Sequence, residues 1–465
     1  MEHQTTNQEI TATAQTQKPK KNLIKAMTDL IKKNDKVVYY LGAFYLYKDG
    51  YYQRQGEDIF LSNIKAILSD EYKDYETANR IYKSLKIEKG IILDKDDIRI
   101  EPKHLICFKN CLYNPFTGET APHTSDLIFF TQTPHNFNLS AETDDITEHL
   151  FNNFIQGYDA DDKIKLRELL FQTIGVALSN DRTFKNFFYI QGKPNTGKST
   201  YCGLIQRILG NGMFSAIPMN ALNESGTDLY RIADKKANII TETTSKSPND
   251  DVITTMKKLT GGSEEVISCR IKYQNTVEVK SRALLIFAGN SVPSFCSGGD
   301  LSAFIKRMIL IDFRGQIKDE DKIDNILDKI NNEYIIAEAM RAFKRFTDNN
   351  KRFTIPSVVV ENREKIKNDN PVNAFISECS LVSDYKIHAK TLFYMFGRYC
   401  TLNAYSNGIS QISFNKKIEQ EGFIKKKVKE TDGDKRSYEG FVGLKPPKEF
   451  LDPHIEAFKS KKAKV

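Results

Sequence analysis

Tryptophan is absent from the 465 residues, and cysteine occurs only seven times. The cysteines are odd in number and scattered from Cys107 to Cys400, which argues against a disulfide framework. His104, Cys107, Cys111 and His123 could in principle hold zinc. Cys107 and Cys111 form no Cys-x-x-Cys pair, however, and lie in an apolar extended stretch, so a packing role is the better reading. No apolar run approaches the roughly 20 residues that a membrane span needs. Met1 to Gln17 is polar and rich in Thr and Gln, without the apolar segment of a signal peptide. A cytoplasmic protein with no membrane partner is expected.

What is present fits a soluble globular chain. Hydrophobic residues make up 40% and charged residues 28%, and the length suggests two to four domains. The formal net charge of +8 suits a polyanionic partner, although alone it is a weak signal. Residues 1–21 read as a disordered basic tail. Residues 22–145 alternate helical and strand-like patterns, an α+β domain. It carries a hairpin signal around Lys48-Asp49-Gly50 and a strand over Ile106 to Leu112. Residues 146–350 read as α/β: a helical pair, then strands at Phe187 to Ile190, Ala237 to Thr241, Ala283 to Ala288 and Met308 to Phe313. Residues 351–371 read as a linker, 372–447 as a small final domain, and 448–465 as a second basic tail.

The chemistry centres on Gly192-Lys193-Pro194-Asn195-Thr196-Gly197-Lys198-Ser199, followed by Thr200. This is a full Walker A match with a strand before it and a helix after it. Glycines let backbone N–H groups wrap phosphates, and the helix adds its positive N-terminus. Lys198 is expected on the β- and γ-phosphates of ATP, and Ser199 on Mg²⁺. Glu242 ends the apolar strand Ala237 to Thr241, placed to hold Mg²⁺ or polarise the attacking water. The alternative is a solvated loop glutamate. Asn290 follows the strand Ala283 to Ala288 and could orient that water. Arg307, after Lys306, could be an arginine finger offered to a neighbouring subunit, or an exposed strand-edge arginine.

The order of these pieces resembles the superfamily 3 helicases of AAA+ type. Within them it is similar to the phage/plasmid primase-helicase family, and to the replication initiator helicases of staphylococcal pathogenicity islands. Ile106 to Asn110 with Thr117-Gly118-Glu119, the phosphate loop, Glu242, Lys258 to Gly262 with Arg270, Asn290, and Lys306-Arg307 carry the resemblance. There are departures: Ala288-Gly289-Asn290 stands where Ala-Thr-Asn is frequent, and Lys306 where arginine is frequent. The resemblance implies a homohexameric ring hydrolysing ATP between subunits, 3′-to-5′ movement on single-stranded DNA, and a DNA-contacting hairpin at Ser268 to Val279. Arg270, Lys272 and Tyr273 would sit near its tip, where cations meet phosphates and a ring stacks on a base or sugar. It also implies a replication origin as target and a separate primase and host replication proteins as partners. The first 100 residues lack an obvious carboxylate cluster for a polymerising metal site, so no primase activity is expected in the chain.

The final domain reads as three helices and a two-stranded wing, with strands at Phe423 to Lys429 and Tyr438 to Leu444. That is a winged-helix pattern. Asn415, Lys416 and Lys417 fall on one helical face, and Lys425 and Lys427 load the wing, as for duplex DNA. Packing against protein is the alternative. The expected whole is a central AAA+ P-loop ATPase with an α+β N-terminal domain and a C-terminal winged helix, working as an origin-binding helicase. Two other functions compete: an ATPase switch that melts or marks an origin without processive unwinding, and a P-loop small-molecule kinase. The kinase leaves Gly261-Gly262, Arg307 and the basic C-terminal domain unexplained.

Overall fold

The computed structural model describes residues 19–34, 36–40, 42–94, 97–233, 235–243, 248–262, 265–270, 276–293, 301–368, 371–403, 405 and 409–451. They belong to two compact units, divided between Phe137 and Asn138. No helix among them is long and apolar enough to cross a membrane.

The first unit opens with helix α1 (Pro19–Asn34), which begins inside the stretch expected as a tail, with proline at its first position where a missing N–H costs nothing. An antiparallel meander follows: β1 (Val37–Tyr40), β2 (Ala43–Lys48) and β3 (Tyr51–Gln55). Helices α2 (Glu57–Ala66) and α3 (Tyr75–Leu85) come next, and Asp74 caps α3 through the N–H of Thr77 at 2.8 Å. The rings of Phe44, Phe60 and Tyr82 meet in the core between them. The single strand expected over Ile106 to Leu112 is instead a hairpin of β4 (Ile106–Cys107) and β5 (Leu112–Tyr113). The chain reverses at Lys109-Asn110, where the Asn110 amide donates to Phe137 O and accepts from Phe137 N. Apolar residues on both sides of Lys109-Asn110 let the two short strands read as one. β6 (Thr120–Ala121) completes that sheet. His123 Nε2 lies 2.8 Å from Phe108 O, and Cys107 Sγ lies 3.8 Å from Gly50 O, so both groups already face backbone carbonyls.

The second unit is built on a five-stranded parallel sheet. Helices α4 (Asp145–Phe154) and α5 (Ala160–Leu178) lead into β7 (Phe187–Gly192), α6 (Lys198–Leu209) and β8 (Phe214–Ser215). Then come β9 (Ala237–Ile240), α7 (Asp250–Leu259), the hairpin β10 (Val266–Cys269) and β11 (Val277–Lys280), and β12 (Leu284–Gly289). Helix α8 (Leu301–Arg307) runs directly into β13 (Met308–Phe313). The strand order is β13-β7-β12-β9-β8. β7 and β12 carry near-continuous buried residues, as parallel strands covered on both faces do. Arg182 is fully enclosed; its guanidinium donates to Val176 O and Ser179 O at the end of α5 and to Lys236 O beside β9. Short α9 (Ile326–Lys329) and long α10 (Asn332–Asp348) follow, and α10 buries Ile336, Ala339, Met340 and Phe343 at helical spacing.

The stretch expected as a linker carries helix α11 (Ser357–Asn368). Its N-terminus is capped from another helix: the Asp162 carboxylate accepts from Ser357 N (2.9 Å) and Ser357 Oγ (2.8 Å). Beyond it lie α12 (Pro371–Glu378), β14 (Ser380–His388), α13 (Ala389–Leu402), α14 (Gln411–Gln420), β15 (Lys425–Val428) and β16 (Tyr438–Lys445). The sheet order is β14-β16-β15, so the expected two strands are three. β14 is an edge strand with a bulge between Val382 and Lys386 and mostly exposed side chains, which leaves no apolar alternation in the sequence. This region has its own apolar core, with Phe396 stacked on Phe414 at 4.7 Å.

Candidate nucleotide site

The carboxyl ends of the parallel strands bring the predicted residues together. In an open parallel sheet, ligands bind at these ends, where neighbouring connections diverge. β7 lies between β13 and β12, and its continuation is the phosphate loop. Gly192 ends β7 opposite Phe313, and a Cβ there would stand 2.5 Å from Phe313 O and 2.7 Å from Thr196 Oγ1. Gly197, at φ 90°, is the N-cap of α6 in the left-handed region, where a side chain would also meet the Phe154 ring. Phe154 stacks on Phe313 and so roofs the loop. Asn195, at φ 61°, accepts from Ile317 N at 2.9 Å, which ties the loop to the segment after β13.

The loop is arranged around Lys198. Its ammonium donates to Gly192 O and Lys193 O, both at 2.7 Å. Thr196 Oγ1 donates to Lys193 O at 2.9 Å. Burial pulls the Lys198 ammonium below its ordinary value, with Cys202 and Glu242 pulling the other way. A cation that burial disfavours gains most from an anion arriving beside it. The first N–H groups of α6 have no partners within the helix, so they complete an anion cradle. Pro194, Ser199 and Thr200 lie on or beside this turn, and Ser199 is exposed.

Glu242 and Asn290 reach the same edge. In the sheet register Gly289 pairs with Gln191 of β7, and Phe287 pairs with Ile240 of β9. Thr243 N donates to Ala288 O at 2.7 Å, so the chain past β9 keeps alongside β12 and carries Glu242 with it. Strands are spaced about 4.8 Å apart, which places Glu242 two spacings, about 10 Å, from the β7 line. Both Glu242 and Asn290 are exposed. That separation suits a metal or water between carboxylate and phosphate loop rather than direct contact.

Arg307 is placed differently from a free finger. Its guanidinium donates to Lys257 O and, at 2.9 Å, to Thr260 Oγ1, at the C-terminus of α7 in the same chain. Burial lowers its pKa. Lys306 beside it is exposed. The residue tie to α7 could not be read from spacing, because Lys257 and Thr260 are some fifty positions away.

The expected DNA contacts divide into groups. The hairpin β10–β11 is present, and Arg270 is exposed just past β10. Lys272 and Tyr273 lie outside the described residues. On α14, Lys416 is exposed and Lys417 pairs with Glu421 at 3.0 Å. Asn415, on the same helix, is half-buried. Lys425 pairs with Glu439 across the strands at 2.9 Å, whereas Lys427 is exposed.

A family described as of unknown function (DUF5906) matches residues 190–307. That span runs from the end of β7 to Arg307 and covers less than half of the chain. No curated protein matches the sequence. Among solved structures the chain is similar to the A-form apo structure of the NrS-1 C-terminal region. The TM-score is 0.47 at 13% identity, over 90% of this chain and 98% of that one. A second A-form apo structure of that region gives 0.44 at 15% identity, with the same coverage. Neither likeness assigns a role to any residue.

Proposed function

We propose that the chain is an ATP-dependent DNA helicase that initiates replication. It would be an AAA+ motor of superfamily 3 type, assembled as a homohexamer and moving 3′-to-5′ on single-stranded DNA. The observation that carries this reading is the convergence of the Lys198 loop, Glu242 and Asn290 at one edge of a parallel sheet ordered β13-β7-β12-β9-β8. A phosphate loop alone binds nucleotide; a carboxylate and an amide two strands and one strand away supply the parts that hydrolysis needs.

Lys198 would leave its two carbonyl partners for the β- and γ-phosphates. Ser199 and Glu242 would hold Mg²⁺, which neutralises developing phosphate charge. Glu242 also takes the proton of the attacking water, and Asn290 orients that water. Arg270, with Lys272 and Tyr273, would track single-stranded DNA. The helix and strand order from α12 to β16 supports a winged helix, whose exposed Lys416 and Lys427 meet duplex phosphates.

One observation favours a second reading. Arg307 is bound within its own chain, where a ring motor needs it between subunits. An ATPase switch that melts or marks an origin needs no such finger. Incubation with ATP, Mg²⁺ and a forked duplex with a 3′ single-stranded arm separates the two. The helicase reading expects DNA-stimulated hydrolysis and displacement of the strand. DNA-stimulated hydrolysis without displacement selects the switch, and hydrolysis indifferent to DNA overturns both.

A further inference from the structure

Tyr189 carries a hydroxyl that packing does not require. It stands in β7 after Phe187 and Phe188, shortly before Gly192. All three rings are fully enclosed, and Tyr189 shares a core with Phe287 and Leu310, its partners on the two adjoining strands. A buried hydroxyl is unfavourable unless it is hydrogen-bonded, so phenylalanine would serve the core alone as well or better.

The hydroxyl reaches the tip of β12. It donates to Ser291 O at 2.8 Å. A Cβ on Gly289 would lie 2.5 Å from this hydroxyl, 3.3 Å from Ser291 O and 3.4 Å from Thr243 O, so the three oxygens surround one point. Thr243 follows Glu242, and Ser291 follows Asn290. The hydroxyl therefore sits where the segments carrying the carboxylate and the amide run side by side, fastened to each other by Thr243 N donating to Ala288 O. Burial pushes the Tyr189 phenol well above its ordinary value, with the Thr243 hydroxyl drawing it partly back. It thus stays a neutral donor at any working pH. Asn290 is exposed just past the end of β12, and the bond to the next carbonyl ties that exposed turn to the buried strand leading into the phosphate loop.

We propose that Tyr189 is a positioning residue for ATP hydrolysis: its hydroxyl, through Ser291 O, sets the Asn290 amide relative to the phosphate loop. This rests on the ATPase reading above and goes beyond it, because it gives the strand of the phosphate loop control over the group that orients the water. The ring packs, and the hydroxyl serves hydrolysis. Alignment of water matters in the transition state and not in nucleotide binding, so the hydroxyl acts on turnover and leaves affinity alone.

The test compares the full-length protein with its Tyr189→Phe variant, which keeps the ring. In steady-state hydrolysis with Mg²⁺, kcat should fall about fivefold, with KM for ATP within about twofold of wild type. Affinity for mant-ADP should be unchanged. Retention of labelled ADP by aluminium fluoride, a mimic of the transferring phosphoryl group, should weaken along with kcat. The loss should vanish in an Asn290→Ala background, because the hydroxyl acts through that amide. Unchanged kcat and retention, with or without a lower melting temperature, overturn the proposal and leave the ATPase reading standing. A loss that persists in the Asn290→Ala background also overturns it, since the hydroxyl then acts by another route. So does a raised KM at unchanged kcat, which is a loss of binding. A wild type that binds mant-ADP but neither hydrolyses ATP nor retains ADP with aluminium fluoride overturns the ATPase reading, and the proposal with it.

Discussion

Gly289 stands where a side chain would collide with a neighbour. A Cβ at that position would lie 2.5 Å from the Tyr189 hydroxyl, 3.3 Å from Ser291 O and 3.4 Å from Thr243 O. Tyr189 is fully buried and its hydroxyl donates to Ser291 O at 2.8 Å, so the ring has nowhere to retreat. Glycine at this position therefore leaves the room that the Tyr189 hydroxyl occupies. Gly289→Ala should therefore cost about 1–3 kcal/mol, read from the denaturant midpoint. The cost should shrink when Tyr189→Phe removes the colliding oxygen, giving a coupling of about 0.5–3 kcal/mol in the double-mutant cycle. Independent, additive effects contradict this account of the strand tip.

At the scale of elements, Asp162 decides where α11 begins. Burial alone would raise its carboxyl, but the hydrogen bonds from Ser357 and the N–H of Val358 outweigh that and hold it below its ordinary 3.8. A depressed folded-state pKa means that the stabilisation is complete above the unfolded value and is lost as pH falls through the folded one. Asp162→Ala should cost about 1–3 kcal/mol at pH 7, because two N–H groups lose their acceptor. In denaturation at several pH values the gap between variant and wild type should close below about pH 4. A gap that stays constant into acid contradicts the cap.

Elements also mark how far the sequence could be read. β7, β9, β12 and β13 announced themselves as apolar runs because parallel strands are buried on both faces. The Walker A spacing revealed the phosphate loop because the chemistry is local in sequence. β14 did not show, since its exposed side chains follow no period, and the turn at Asn110 was hidden because its partner Phe137 is 27 residues away. α11 was concealed by its charged composition, and the acceptor that starts it sits 195 positions earlier. Arg307 was visible as a residue but not its place, because Lys257 O and Thr260 Oγ1 become neighbours only through the fold.

At the scale of the whole molecule, the proposed function needs a structural path from the Lys198 loop to the elements proposed to hold DNA. β9 carries Glu242 and leads into α7, whose C-terminus Arg307 holds and whose N-terminal Asp250 accepts from Ser413 Oγ of α14 at 2.6 Å. The hairpin β10–β11 follows α7 in the chain, so one helix is held by Arg307, continues into the hairpin and, through Asp250, meets the C-terminal region. The central claim is that phosphate held at Lys198 drives strand separation. Its most direct test is Lys198→Ala assayed side by side for ATP hydrolysis and for displacement of a forked duplex. The account predicts that both fall together, by about a hundredfold or more. Hydrolysis abolished with displacement intact would contradict it.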